Sequence, residues 1–312
     1  MGAILAAMYA RVIFRAALPI VFGLAAAAQT PPKRPPIVGV AHIAVKTNDL
    51  AAARDFYGKY LGFAEPFSVE NPAGGPAAVC FKVNDRQYIQ VSPTLASDTE
   101  DRLSHIAFET TNASQLRDYL ASRGVSVPDK LQPGPDGDLT LAVKDPEGHD
   151  VRFVEYRPGS LATRNFGKAL SETRISEHIN HVGFTVQDRD AEDRFFHDIL
   201  GFELLWHGGS NDTRTDWVMM RVPDGKDWME YMLNQPHPSP RSLGSSNHLS
   251  LGVPSIAAAH QTLADRGLKM GQPQIGRDGK WQLGLFDPNG TRAELMEPAP
   301  VQTPCCSPIL DK

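Results

Sequence analysis

Two histidines and two glutamates, His181, Glu230, His248 and Glu294, are the residues of this chain whose types and spacing best suit joint chemistry. Imidazole nitrogen and carboxylate oxygen together are the donors that zinc, nickel, iron, cobalt and manganese accept. Two of each leave a divalent ion neutral, with two positions open in an octahedral shell. The sequence does not choose among these metals.

The strands that must carry these residues explain why they could meet. Side chains at i, i+2 and i+4 of a strand share a face. His181 shares its face with Gly183 and Thr185, and His248 with Ser250 and Gly252; the opposite faces carry Val182, Phe184 and Val186, and Leu249, Leu251 and Val253. A sheet that is small and polar on one face and large and apolar on the other is suited to curve round a cavity while packing under helices. One histidine in such a strand is ordinarily a hydrogen-bonded core group. Here histidine recurs at one position four times, also as His42 beside Ala44 and Lys46 and as His105 beside Ala107 and Glu109.

That recurrence is part of a repeat. The segment at His42 returns at His181 with an offset of 139, and Leu61-Gly62-Phe63 returns as Leu200-Gly201-Phe202 at the same offset. Asp145-Pro146-Glu147-Gly148 returns as Asp287-Pro288-Asn289-Gly290 at 142. Each histidine strand is followed by a helical stretch that closes on Gly62, Gly124, Gly201 or Gly267, at 20, 19, 20 and 19 residues from the histidine. Leu50, Ala53, Tyr57 and Leu61 fall on one helix face, as do Leu116, Tyr119 and Leu120, and glycine at the C′ position suits a left-handed stop. The expected fold is therefore α+β: four βαβββ units in two tandem domains, 40–157 and 178–298, with linkers at 29–39 and 158–177 and a tail at 299–312.

The first copy carries His42, Gln90, His105 and Arg152 where the second carries the four donors. A guanidinium repels a cation rather than binding it, so the metal site of domain 1 is expected to be degenerate. Glu155 is no substitute, because it aligns with Glu297 on the face of Val151 and Phe153.

Composition narrows the partners. A formal charge of -5 with no long basic run gives no footprint for nucleic acid. Arg11 and Arg15 precede an apolar run from Ala16 to Ala28 that ends in small residues, the layout of a signal peptide over 1–28; the run is shorter than the ~20 residues of a membrane span. The chain is thus expected to be exported, periplasmic or secreted, with no membrane contact after cleavage. Three cysteines, Cys80, Cys305 and Cys306, supply no disulfide framework and no zinc-type pair. Trp206, Trp217 and Trp228 are candidates for lining the second cavity or filling its core. His149, His207, His237 and His260 lie outside the repeated positions and read as exposed or loop groups.

Ile179-Asn180-His181-Val182, Asp198-Ile199-Leu200-Gly201-Phe202, Trp228-Met229-Glu230-Tyr231 and Asp287-Pro288-Asn289-Gly290-Thr291-Arg292-Ala293-Glu294-Leu295 together resemble the vicinal oxygen chelate superfamily, which includes glyoxalase I, extradiol dioxygenases and bleomycin-resistance-type binding proteins. The resemblance implies that paired βαβββ units curve round one divalent metal whose open positions take two adjacent oxygens of a small substrate. It puts the ligands on His181, Glu230, His248 and Glu294. In glyoxalase-like isomerases and lyases of that family a carboxylate moves a proton beside the metal, which makes Glu230 and Glu294 the candidate catalytic groups. Two alternatives stay open: an extradiol ring-cleaving dioxygenase using Fe(II) on His181, His248 and Glu294, and a non-enzymatic small-molecule binding protein.

Overall fold

A computed structural model describes residues 32–310; the leader expected over 1–28 lies outside them. The first copy contains β1 (Ile37–Lys46), α1 (Leu50–Arg54) continued by a wider π-type turn (Asp55–Tyr60), β2 (Ala64–Glu70), β3 (Pro76–Lys82), β4 (Tyr88–Ser92), β5 (Leu103–Thr110), α2 (Ala113–Ser122), β6 (Leu139–Lys144) and β7 (Asp150–Glu155). A short helix α3 (Leu161–Arg164) follows. The second copy runs β8 (His178–Thr185), α4 (Arg189–Asp193) with its own π-type turn (Arg194–Ile199), β9 (Glu203–Gly208), β10 (Trp217–Arg221), β11 (Trp228–Met232), α5 (Ser242–Ser245), β12 (His248–Gly252), α6 (Ile256–Asp265), β13 (Gln274–Ile275), β14 (Trp281–Phe286) and β15 (Arg292–Met296).

Each copy builds one mixed sheet, ordered β2-β3-β4-β1-β5-β7-β6 in the first and β13-β14-β15-β12-β8-β11-β10-β9 in the second. The architecture is the α+β arrangement of paired βαβββ units. One unit is incomplete: the strand expected between α2 and β6 shrinks to a single bridge between Pro133 and Leu139. Pro128, Pro133 and Pro135 explain the loss, since proline has no N–H to give a ladder.

Local chemistry sets the helix ends. Asp49, Asn112, Asp188 and Ser255 cap α1, α2, α4 and α6 by accepting a backbone N–H three residues on. The glycines that close the four helical stretches, Gly62, Gly124, Gly201 and Gly267, all sit at positive φ between 77° and 85°, where a Cβ would be strained. Glu155 and Glu297 accept from Ala113 N and Ile256 N at the starts of α2 and α6. Both therefore point to the helix side, away from the concave face.

The apolar strand faces pack under the helices, and one buried cluster draws on both copies; Phe108 of β5 meets Phe202 at 5.1 Å between ring centroids. Equivalent turns dock each copy on the other. Glu147 accepts from Gln187 N and Asp188 N at 2.6 Å, just before α4. Asn289 bonds Thr47 and Asn48, just before α1. Among the described residues no helix is long and apolar enough to cross a membrane.

A third tie is made by Asp227, which is buried in the second copy yet accepts from Val40 N at 2.7 Å and Gln87 Nε2 at 3.0 Å in the first, and meets His178 Nε2 at 2.7 Å. Gly39 makes the approach possible, because a Cβ there would lie 2.7 Å from Asp227 Oδ2. Removing the carboxylate orphans a buried N–H, so Asp227→Ala should cost about 1–3 kcal/mol in denaturant unfolding. The hydrogen bond to Asp227 raises His178 above its ordinary 6.5, against burial. A raised histidine stabilises most below its unfolded value, and that share is lost as pH climbs through the folded value. The stability gap between wild type and Asp227→Ala should accordingly be largest below pH 6.5 and narrow above it.

Candidate metal centre

The four donors come from four adjacent strands, β11, β8, β12 and β15, and the register explains their convergence. Trp228 and Ser250 flank His181 on β8, while Glu230 and His248 flank Gly183 two residues on. Gly183 is a necessary gap: a Cβ there would sit 2.1 Å from His248 Cε1. Glu294 pairs across β15 with Ser250. All four side chains face the concave side of the second sheet.

The donor atoms are close and dry. His181 Nε2 and His248 Nε2 lie 3.1 Å apart. Glu230 Oε2 is 3.4 Å from His248 Nε2 and 4.0 Å from His181 Nε2, and Glu294 Oε2 is 3.5 Å from His181 Nε2. Both imidazoles are fully buried and both carboxylates nearly so. His248 Nδ1 lies 2.9 Å from the Ser246 carbonyl, so it carries the proton, donates it, and leaves the Nε2 lone pair facing the cavity. His181, Glu230 and His248 offer donor atoms within 4.8 Å of one another, a set that fits one divalent ion, and Glu294 stands beside His181 at its edge.

Without an ion, burial dominates the electrostatics of the site. Burial pushes the Glu230 and Glu294 carboxyls up to about 7, partly offset by Arg292. Burial holds His181 and His248 well below their usual range, reinforced at His181 by His248 and Arg292 and at His248 by Arg292. A bound cation would reverse the carboxyl shifts by favouring the anions.

Arg292 was not singled out by the sequence, although it lies two residues before Glu294 and so on the same face. Its NH2 group donates to the His248 Nε2 lone pair at 2.8 Å, a contact that a bound cation would have to displace, and its Nε is buried with no partner. A cation beside the donors is suited to hold an anionic oxygen. The donors Glu230 and Glu294, with Arg292, open on a cavity of about 300 Å³ that Trp206, Trp217 and Met219 also line. Trp228 stacks on His181 at 5.1 Å and borders a larger groove of about 880 Å³. All three tryptophans thus belong to the concave side, and Lys280 lies over the Trp228 ring.

The tail roofs this cup. Cys305 O accepts from Trp206 Nε1, Leu310 N donates to Leu205 O, and Ser307 bonds His207 on β9. Ile309 and Cys305 pack on Leu205, Trp206, Met219, Trp228 and Met296. Cys305 and Cys306 are joined to each other, and Cys80 is a buried thiol. His237 is exposed and His149 lies in the loop before β7, as expected, the latter half-buried and paired with Asp145 at 2.7 Å; His207 instead lies half-buried on β9 and His260 on α6.

In the first copy His42 and His105 keep the imidazole pair, Nε2 to Nε2 at 2.9 Å, and Tyr88 stacks on His42 as Trp228 does on His181. Gln90 and Arg152 stand where the carboxylates would be, and Arg152 is engaged by Asp150. Burial lowers both histidines, helped at His42 by His105 and at both by Arg152. The linker roofs this cup as the tail roofs the other: Lys82 Nζ donates to Asn165 O and Lys168 O, and Arg86 lies over Phe166.

Residues 39–153 match a family model of the glyoxalase/bleomycin resistance protein/dioxygenase superfamily, and 180–283 match a second model of that superfamily. The chain belongs to this superfamily and carries two of its domains in tandem. It is 26% identical over 177 residues to an iron-dependent extradiol dioxygenase of Rhodococcus jostii (strain RHA1), covering 54% of this chain and 55% of the relative. The match thus spans about half the length of that relative. Among solved structures the fold resembles the 2,3-dioxygenase LapB from Pseudomonas sp. KL28, with TM-score 0.64, 16% identity, 87% of this chain and 97% of that one. It also resembles a Mn(II)-bound glyoxalase from Novosphingobium aromaticivorans, with TM-score 0.58, 18% identity and coverage of 84% and 83%.

Two variants separate the cups. Gly183→Ala should push the His248 ring aside and lower divalent-metal affinity roughly 10–100-fold, the scale of a lost positioning partner, with far-UV circular dichroism unchanged. His42→Ala should leave metal content unchanged; any loss of bound metal in that variant would show a working site in domain 1.

Proposed function

We propose that this chain is a metal-dependent enzyme of the superfamily, with one divalent ion held by His181, Glu230, His248 and Glu294. Its chemistry is glyoxalase-like: isomerisation or lysis of a small substrate through two adjacent oxygens. The observation that carries this reading is Glu230, whose carboxylate stands 3.4 Å from His248 Nε2 as a fourth donor. The bound ion would act as a Lewis acid that polarises the substrate oxygens. Glu294 and Glu230 are the groups that would take and return the proton at the carbon beside the polarised carbonyl. Arg292 would hold the oxygen on which negative charge builds, and the tryptophans and tail would keep bulk water out.

Ring cleavage is the second reading, favoured by the iron-dependent relative. It uses His181, His248 and Glu294 with Fe(II) and does not need Glu230. Against it, a catecholate and dioxygen together need three open positions, and a fourth protein ligand leaves two.

The test uses one protein sample loaded in turn with Fe(II), Mn(II), Zn(II), Ni(II) and Co(II). Solvent deuterium exchange at the carbon next to the carbonyl of α-hydroxycarbonyl compounds is followed by NMR, and oxygen uptake is followed with catechols. Under the proposal, exchange occurs, Glu294→Gln abolishes it, and Glu230→Gln lowers metal affinity by more than the 10–100-fold of an indirect partner. Iron-dependent oxygen uptake that survives Glu230→Gln would establish ring cleavage instead. Full metal occupancy in both His181→Ala and His248→Ala would overturn both readings.

A further inference from the structure

The two docking turns between the copies are equivalent in the repeat but differ in chemistry. In the turn after β14, Asp287 accepts from Asn289 N, Thr291 N and Tyr57 Oη, so its carboxylate is satisfied. The repeat offsets of 139 and 142 map Tyr57, Ala53 and Thr291 of that half onto Phe196, Glu192 and His149 of the other. At one place, then, a hydroxyl donor is lost and a carboxylate and an imidazole are gained.

These two groups meet Asp145, the counterpart of Asp287. One ligand atom each of Asp145, His149 and Glu192 lies within 4.8 Å of the others. Asp145 Oδ1 is already used by Glu147 N and His149 N, while Oδ2 faces His149 Nδ1 at 2.7 Å. Glu192, on α4, is completely buried; its Oε1 has a 3.3 Å contact from Glu147 N, and its Oε2 has no hydrogen-bond partner. A buried carboxylate oxygen without a donor is costly unless a cation or a proton is with it. The His149 ring packs on Phe184 at 5.1 Å, which lies on the helix side of β8, so this cluster is on the opposite face of the sheet from the cup.

We propose that Asp145, His149 and Glu192 form a second divalent-metal site that bridges the two copies. Two carboxylates and one imidazole suit zinc or manganese better than calcium, which takes six to eight oxygens. Asp145 and His149 come from the first copy and Glu192 from the second, so the ion is a structural clamp across their junction.

Chelator-stripped protein is titrated with Zn(II), and bound zinc per chain is counted after desalting. Two ions are expected for wild type, one for Glu192→Ala and one for His248→Ala, which remove different ions. The Glu192→Ala and His248→Ala double variant should bind none. Zinc should raise the melting temperature of His248→Ala and leave that of the double variant unchanged. Position 53 carries alanine in the other half, so the shorter side chain fits this packing; if Glu192→Ala fails to fold, His149→Gln gives the same readout. Equal zinc in Glu192→Ala, or His149→Gln in its place, and wild type overturns the proposal. A wild type that holds one ion, lost in Glu192→Ala and kept in His248→Ala, upholds it while removing the cup site.

Discussion

Bringing His181, Glu230 and His248 within about 4 Å of one another, with Glu294 3.5 Å from His181, in a dry cavity opposes folding, because each anion leaves water and the two carboxyls repel each other. The second half of this chain is arranged round that constraint. Four neighbouring strands each deliver one donor, the missing side chain of Gly183 leaves space for the His248 ring, and the Ser246 carbonyl fixes which nitrogen of that ring faces the cavity. Arg292 supplies nearby positive charge, but it is one cation against two carboxyls, and burial still raises both. A bound divalent ion would favour the anionic form of both.

The first copy meets the same geometric problem in another way. It keeps the histidine pair and the ring stacked on it, but Gln90 brings no charge and Arg152 is neutralised by Asp150 next to it. Two copies of one fold have thus settled on opposite solutions: one concentrates negative charge, the other removes it. The docking turns show the same divergence on a smaller scale, with Tyr57 satisfying Asp287 in one half and an unpartnered Glu192 oxygen near Asp145 in the other.

Much of this could be read from the sequence, since strand faces and helix stops are local properties. Period-two alternation puts His181 and Gly183 on one face, and the glycine after each helical stretch marks the turn that positive φ requires. Arg292 was within reach of the same rule. The burial of Glu192 was not, because a glutamate on a short helix reads as solvent-facing until the partner copy is packed on it. The loss of one strand near Pro133 depends on prolines that weaken a ladder without dictating what replaces it. The roofs were equally hidden: polar, glycine- and proline-containing stretches read as linker and tail, and their hydrogen bonds to Leu205, His207 and Lys82 exist only in three dimensions.

The two roofs follow equivalent last strands, β7 and β15. The segment between the copies therefore has two duties, closing the first cup and reaching the second domain. Its length is fixed at both ends, by Lys82 on one side and by β8 on the other. The joint cannot serve as a free hinge: added slack would open the first cup, and a shorter joint would pull Asn165 and Lys168 off their lysine. The spacing of the two domains and the sealing of the first are one and the same property of the chain.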